Sequence, residues 1–182
     1  MRELHVDQVA DAVARLVQEA NFDLSDDVKR ALANAQSLEE APVGQTVLLQ
    51  IVENYTIAET ERVPMCQDTG VALVFLEVGQ DLHLVGGDLK EAVNRGVAKG
   101  YSEGFLRMSM LNDPIERVNT RDNTPAMIYI DIVPGDRLKI TVDAKGGGSE
   151  NMSQLRMLPP SAGWEGAKQF IVETVAAAVP NA

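Results

Sequence analysis

Three polar segments interrupt the apolar patterning of this chain, and each carries side chains able to do chemistry. The first is PMCQDTG, Pro64 to Gly70, which sets a lone thiol, a carboxamide and a carboxylate side by side as Cys66, Gln67 and Asp68. A cysteine nucleophile wants a histidine partner, and His5 and His83 are the only two available. No spacing pattern supports such a dyad. The same residues also suit a plain loop in which a small Cys66 is buried and Asp68 stabilises the turn. The second segment is KGGGSEN, Lys145 to Asn151. Three consecutive glycines let backbone N–H groups converge on an anion with no Cβ in the way, and Lys145 and Ser149 add donors. It lacks the GK[ST] ending of a Walker loop and the GxGxxG fingerprint, and a flexible loop is the competing reading. The third segment, NRGVAKGYSEGFLRMS, holds Arg95 and Arg107, with Arg117 and Arg121 beyond it. An arginine turned inward could clamp a carboxylate in a bidentate pair, although most arginines are surface residues.

These segments sit where regular elements start and stop. Val6, Val9, Val13, Leu16, Val17 and Ala20 recur at helical spacing,. Ser25 is a good N-cap for a second helix with Asp26 and Asp27 in its first turn and Val28, Ala31, Leu32 and Ala35 as its buried side. Pro42 and Gly44 interrupt, and a third helix carries Val47, Leu48, Ile51, Val52, Tyr55 and Ala58 on one face. Pro64 ends the helical region. The run Val71 to Val78 reads as a strand buried on both faces. Leu82 to Val85 is a short second strand in which His83 faces away from Leu82 and Leu84. Asp88 with Glu91 resembles a capping box for a helix through about Tyr101, and Gly96 and Gly100 weaken that helix or admit close packing. Ile128, Ile130 and Ile132, then the Pro134-Gly135-Asp136 turn, then Leu138, Ile140, Val142 and Ala144 predict a half-buried β-hairpin. A final helix aligns Trp164, Ala167, Ile171, Val175 and Ala178 until Pro180 stops it. The fold class expected is α+β: N-terminal helices, then a mixed and largely antiparallel sheet with a crossover helix, then a C-terminal helix. One domain is expected over residues 1–182, with a helical lead-in over 1–62 and a sheet-containing region over 63–182.

Composition narrows the function. Twenty-seven acids against sixteen bases give a net charge of −11, the wrong sign for a surface that binds nucleic-acid phosphates. No run of about 20 apolar residues would span a membrane, and a single cysteine builds no disulfide framework. The N-terminal stretch mixes charges through its apolar positions and has no h-region, which points to a cytoplasmic protein. An acidic molecule repels a dicarboxylate at long range, so an anion site needs its own arginines or backbone N–H groups.

VPMCQDTG, a buried strand, NRGV…GYSEGFLR, NTRDNTPA and AKGGGSEN, in that order, resemble class I iron–sulfur fumarate hydratases. The likeness is nearest to the N-terminal part of the alpha subunit of two-subunit fumarases and L(+)-tartrate dehydratases. It implies a hydro-lyase that hydrates fumarate to L-malate, or dehydrates tartrate. The cofactor it implies is a 4Fe-4S cluster on three cysteines, whose fourth iron binds the C4 dicarboxylate substrate. It implies, too, an oligomer completed by a beta-type subunit or C-terminal domain. Carried over by position, Cys66 matches a cluster ligand and Asp68 the acid–base residue. Gln67, Arg107 and Gly148 match substrate contacts, with Lys145 and Ser149 flanking the glycine loop. The remaining cluster cysteines of the family fall beyond the equivalent of Ala182. The chain is therefore expected to be incomplete by itself: a truncated piece, one product of a split gene, or a degenerate relative. A non-catalytic assembly domain that pairs with a beta-type chain is the alternative, and a Cys66-dependent hydrolase a third.

Overall fold

The repeating valines of the first helix define the core. In the computed structural model, which describes residues 2–178 apart from the side chains of Ser149 and Glu150, α1 (Val6–Phe22) buries Val6, Val9, Val13 and Val17 on one face. His5 caps it, its Nδ1 accepting the Asp7 N–H at 3.3 Å. Against that face lies α4 (Leu89–Glu103), which buries Ala92, Val93, Val97 and Tyr101. The expected cap is present, with Asp88 Oδ1 accepting the Glu91 N–H at 2.9 Å,. Gly96 and Gly100 are where the helices meet. A Cβ on Gly96 would lie 2.5 Å from the Ala10 carbonyl oxygen, and one on Gly100 2.6 Å from that of Ala14. Of the two roles open to these glycines, the structure assigns close packing.

The helix pair packs on one face of a three-stranded sheet. Its order is β4-β2-β5, with β2 (Val71–Gly79) central, β4 (Met127–Val133) parallel to it, and β5 (Leu138–Lys145) antiparallel. Ala72, Val74, Leu76 and Val78 join the α1 and α4 valines in one core cluster. The other face of β2 is not packed: Phe75 is exposed and stacks on Tyr129 with centroids 5.0 Å apart. The strand thus alternates, where the unbroken apolar run predicts burial on both faces. The expected hairpin is also corrected. β4 and β5 flank β2 instead of pairing with each other, because the apolar β2 satisfies a ladder on each edge. Residues 134–137 bridge the two strand spacings of about 5 Å each. The end of β2 tucks beneath them, with Gln80 N–H bonded to Val133 O and Asp81 N–H to Gly135 O, both at 2.8 Å. A separate parallel pair joins β1 (Arg2–His5), a strand without a periodic signal in the sequence, to β3 (Leu82–Val85).

Helices α2 (Asp26–Leu38) and α3 (Pro42–Glu61) form where expected, with Pro42 in the first turn of α3. Their apolar stripes are not buried. α2 buries no residue and α3 only Ala58, leaving Val28, Val47 and Ile51 exposed. These helices contact chiefly each other, so the periodicity reports a face without reporting what covers it.

Residues Met1–Lys145 form one compact unit and Gly146–Ala182 another. The second holds two short 3-10 turns, Ser149–Met152 and Pro160–Ala162, and α5 (Gly163–Ala178). Within it Arg156 pairs with Glu173 at 3.1 Å and lies over the Phe170 ring. Of the predicted α5 stripe, Ala178 is buried while Trp164, Ile171 and Val175 are exposed. Pro180 lies outside the described residues. The architecture is α+β, with N-terminal helices, a mixed sheet and a C-terminal helix.

Candidate active site

The mixed sheet brings several chain segments to one end. The Cys66–Gly70 loop enters β2 there, and Met127, at the start of β4, pairs with Leu73. Lys145, at the end of β5, pairs with Val71. The C-terminal end of α4 arrives at the same place, because Thr69 Oγ1 donates to the Arg107 carbonyl at 2.9 Å.

The loop is held mainly through its backbone. Met65, just before the cysteine, donates its N–H to Asn21 O at 3.0 Å, and its carbonyl accepts from Asn54 Nδ2 at 2.9 Å. The Tyr101 hydroxyl donates to Thr69 O at 2.6 Å. Asn123 Nδ2 donates to Gly70 O at 3.0 Å. Asp68 Oδ1 accepts the Gly70 N–H at 3.2 Å, the turn-stabilising bond that suits Asp in such loops. Thr69 and Gly70 are buried, and Cys66 and Gln67 are exposed. The thiol is therefore not the small buried side chain of the plain-loop reading. Its sulfur accepts the Asp68 N–H at 3.5 Å.

Cys66 and Gln67 line an open cleft of about 440 Å³ with Pro64, Thr69, Phe105 and Arg107. Three predicted residues thus share one concavity. Asp68 is half-buried in the same loop. Gly148 is exposed and belongs to the second unit, where a Cβ would meet nothing within 4 Å. Neither histidine lines the cleft. His83 Nδ1 lies 3.6 Å from Glu3 Oε1 on the β1–β3 pair, so no Cys66–His dyad forms. Arg95 is turned elsewhere, paired with Asp7 at 2.8 Å.

Two features escaped the sequence patterns. Phe105 follows the C-cap Gly104 with φ 52° and is 92% exposed. The Leu106 N–H bonds to Tyr101 O and the Phe105 N–H to Ser102 O, a Schellman stop with phenylalanine at the left-handed position where glycine is usual. Asn123, inside NTRDNTPA, also has positive φ at 59° and is fully buried. Its only sequence signal is its residue type, since asparagine is among the side chains that tolerate this backbone region.

The donor set is narrow. The sequence has one cysteine, and among the described residues no group of three or more His, Cys, Asp or Glu could hold a metal ion. A 4Fe-4S cluster is held by several thiolates. Cys66 fits one corner of such a cluster, and the chain's own side chains do not fit the whole.

A polar loop at the head of the central strand thus shares a cleft with an arginine that follows a helix. The fumarate hydratase (Fumerase) family model matches residues 10–182, and the chain belongs to that family. It is 39% identical over 175 residues to the "Putative L(+)-tartrate dehydratase subunit alpha" of Methanocaldococcus jannaschii, covering 93% of this chain and 61% of that protein. It is 29% identical over 181 residues to L(+)-tartrate dehydratase subunit alpha of Escherichia coli strain UTI89, covering 97% of this chain and 59% of that one. Against the aerobic class I fumarate hydratase of Escherichia coli K12 the identity is 43% over 112 residues, 60% of this chain and 20% of the enzyme. The chain thus spans about three fifths of the tartrate dehydratase subunits it matches. Among the described residues no helix is long and apolar enough to cross a membrane.

Proposed function

We propose that this chain is the N-terminal part of the alpha subunit of a cytoplasmic iron–sulfur hydro-lyase. It would hydrate fumarate to L-malate or dehydrate tartrate, with a beta-type subunit or C-terminal domain completing an oligomeric site. The observation that carries this reading is the shared cleft of Cys66, Gln67 and Arg107 in a member of the fumarase family. The name "subunit alpha" on two relatives supports the need for a partner.

Each residue has a role that its chemistry suits. Cys66 gives one thiolate to a 4Fe-4S cluster, and the other thiolates come from another segment or chain. When bound, the cluster supplies Lewis-acid stabilisation of a departing hydroxide, which is otherwise a poor leaving group. Arg107 clamps a substrate carboxylate with its planar fork. Gln67 hydrogen-bonds the same dicarboxylate and fixes its orientation. The Asp68 carboxyl exchanges a proton with the substrate while its Oδ1 remains anchored to the Gly70 N–H,. The Gly148 backbone contributes a further contact to the substrate. The local positive charge of Arg107 offsets the long-range repulsion of a molecule with net charge −11,.

Anaerobic iron–sulfide reconstitution with the partner chains added tests this reading. Wild type should gain a cluster spectrum and fumarate or tartrate turnover, while Cys66→Ser should lose both. A full cluster and full turnover in Cys66→Ser would remove Cys66 from the ligand set.

A further inference from the structure

Three buried side chains tie the candidate loop to the arginine-bearing segment through backbone groups. Asn123 uses both ends of its amide: Oδ1 accepts the Ser109 and Met110 N–H groups at 2.7 and 3.1 Å, and Nδ2 donates to Gly70 O at 3.0 Å. Tyr101 donates to Thr69 O, and Thr69 donates to Arg107 O. Asn123 and Tyr101 are wholly buried, and Thr69 is nearly so. We propose that Asn123, Tyr101 and Thr69 are positioning residues that hold the Cys66–Gly70 backbone and the Arg107–Met110 backbone in one fixed relation, so that thiol and guanidinium face the same cleft. The proposal rests on the reading of Cys66 and Arg107 as a site. None of the three touches the cleft through a charged group, and each acts through main chain.

The geometry makes this more than core cement. Residues 66–70 and 107–110 share no regular pairing, and the described ladder that reaches the loop region runs through β2, β4 and β5. Among the described residues, the side chains of Asn123, Tyr101 and Thr69 tie the two segments together. Removing the Tyr101 or Thr69 hydroxyl leaves the apolar core intact and takes away one of these links. Asn123→Ala would also strand two half-buried N–H groups and a buried carbonyl,, so it is the less informative variant.

The test uses the thiol itself and needs no cluster. Cys66 is the sole cysteine, so its alkylation by neutral iodoacetamide and anionic iodoacetate can be timed on the folded chain. A unit positive charge in the same cleft should favour the anionic reagent by about two- to fivefold,. Arg107→Met calibrates the loss of that preference. Tyr101→Phe and Thr69→Val should move the ratio toward the Arg107→Met value, Thr69→Ser should restore it, and Asn94→Ala should leave it unchanged. Asn94 is the control because its Oδ1 accepts only the Ala126 N–H in a separate groove. Wild-type ratios in both Tyr101→Phe and Thr69→Val would overturn the proposal. Should Arg107→Met leave the ratio at wild type, the assignment of Arg107 fails, and amide exchange decides the positioning claim. Faster exchange at 66–70 and 107–110 together in Tyr101→Phe and Thr69→Val, with α1 and α4 unaltered, supports it. Exchange that is unchanged, or faster everywhere, refutes it.

Discussion

Arg107 and Arg95 lie twelve positions apart in sequence and have opposite surroundings, which makes them a matched pair. Arg107 lines the cleft with Cys66, whereas Arg95 is spent on Asp7 at the surface. In the complete assembly Arg107→Lys should lower kcat/KM by about ten- to a hundredfold, because lysine lacks the bidentate fork and such contacts are worth about 1.5–3 kcal/mol. Arg95→Lys should be nearly silent, since exposed ion pairs contribute little. Steady-state kinetics with an intact cluster spectrum checks both. Tyr101 makes a prediction that needs no partner. Burial, with a smaller push from the Asp68 charge, raises its hydroxyl pKa to about 12 against the pull of Asn21 and Asn123. The folded state therefore holds this proton more tightly than the unfolded chain does. Stability should be unaffected below pH 10 and fall by about 2–3 kcal/mol between pH 10 and 12,. Denaturant melts of Tyr101→Phe should lack that component. At this scale the sequence was partly legible. Cys66, Gln67 and Asp68 stand together in a segment that breaks every periodicity. Asn123 and Tyr101 carry no such mark, because their roles depend on backbone carbonyls more than thirty residues away.

Among the elements, the α1–α4 pair is where local pattern and tertiary contact agree. The stripe Val6, Val9, Val13 and Val17 was readable from spacing alone, and so was the N-cap at Asp88. Gly96 was ambiguous until its neighbour was known. A methyl group there would sit 2.5 Å from Ala10 O and 2.8 Å from Val13 Cβ. Gly96→Ala should gain roughly 1 kcal/mol of helix propensity but lose more to forced separation, typically about 1–3 kcal/mol and occasionally beyond. A net lowering of Tm, with helical content preserved by circular dichroism, is the expected result. A rise in Tm would mean that the helices part without cost. The β4 and β5 segments show where pattern reading ends. Alternation located both strands, and a Pro-Gly-Asp turn between alternating runs ordinarily joins neighbours. Which strand pairs with which is decided by competition for the edges of β2, and no local pattern encodes that competition.

On the scale of the whole molecule, α2 leaves Val28 and Leu38 exposed, α3 leaves Val43, Val47, Leu49, Ile51 and Ile57 exposed, and the sheet leaves Phe75, Met127 and Tyr129 exposed. Amphipathic spacing was correctly read as helix and strand, yet burial was over-assigned, because period alone cannot say whether a face is covered within the same chain. The central place of β2 has a consequence for the order in which the chain is made. On the ribosome the strand emerges with neither edge partner yet synthesised, since β4 begins at Met127 and β5 ends at Lys145. Over the 47 residues between Gly79 and Met127 the apolar strand has two open edges, and such edges recruit foreign strands. Pairing across this separation also closes slowly. Chains released after Ala126 should therefore collect in the insoluble fraction or on holdase chaperones, and chains released after Lys145 should not. Ribosome-stalled intermediates, sampled by pulse proteolysis, should show protection of β2 arriving in one step only after the turn at Pro134 and the whole of β5 have cleared the exit tunnel.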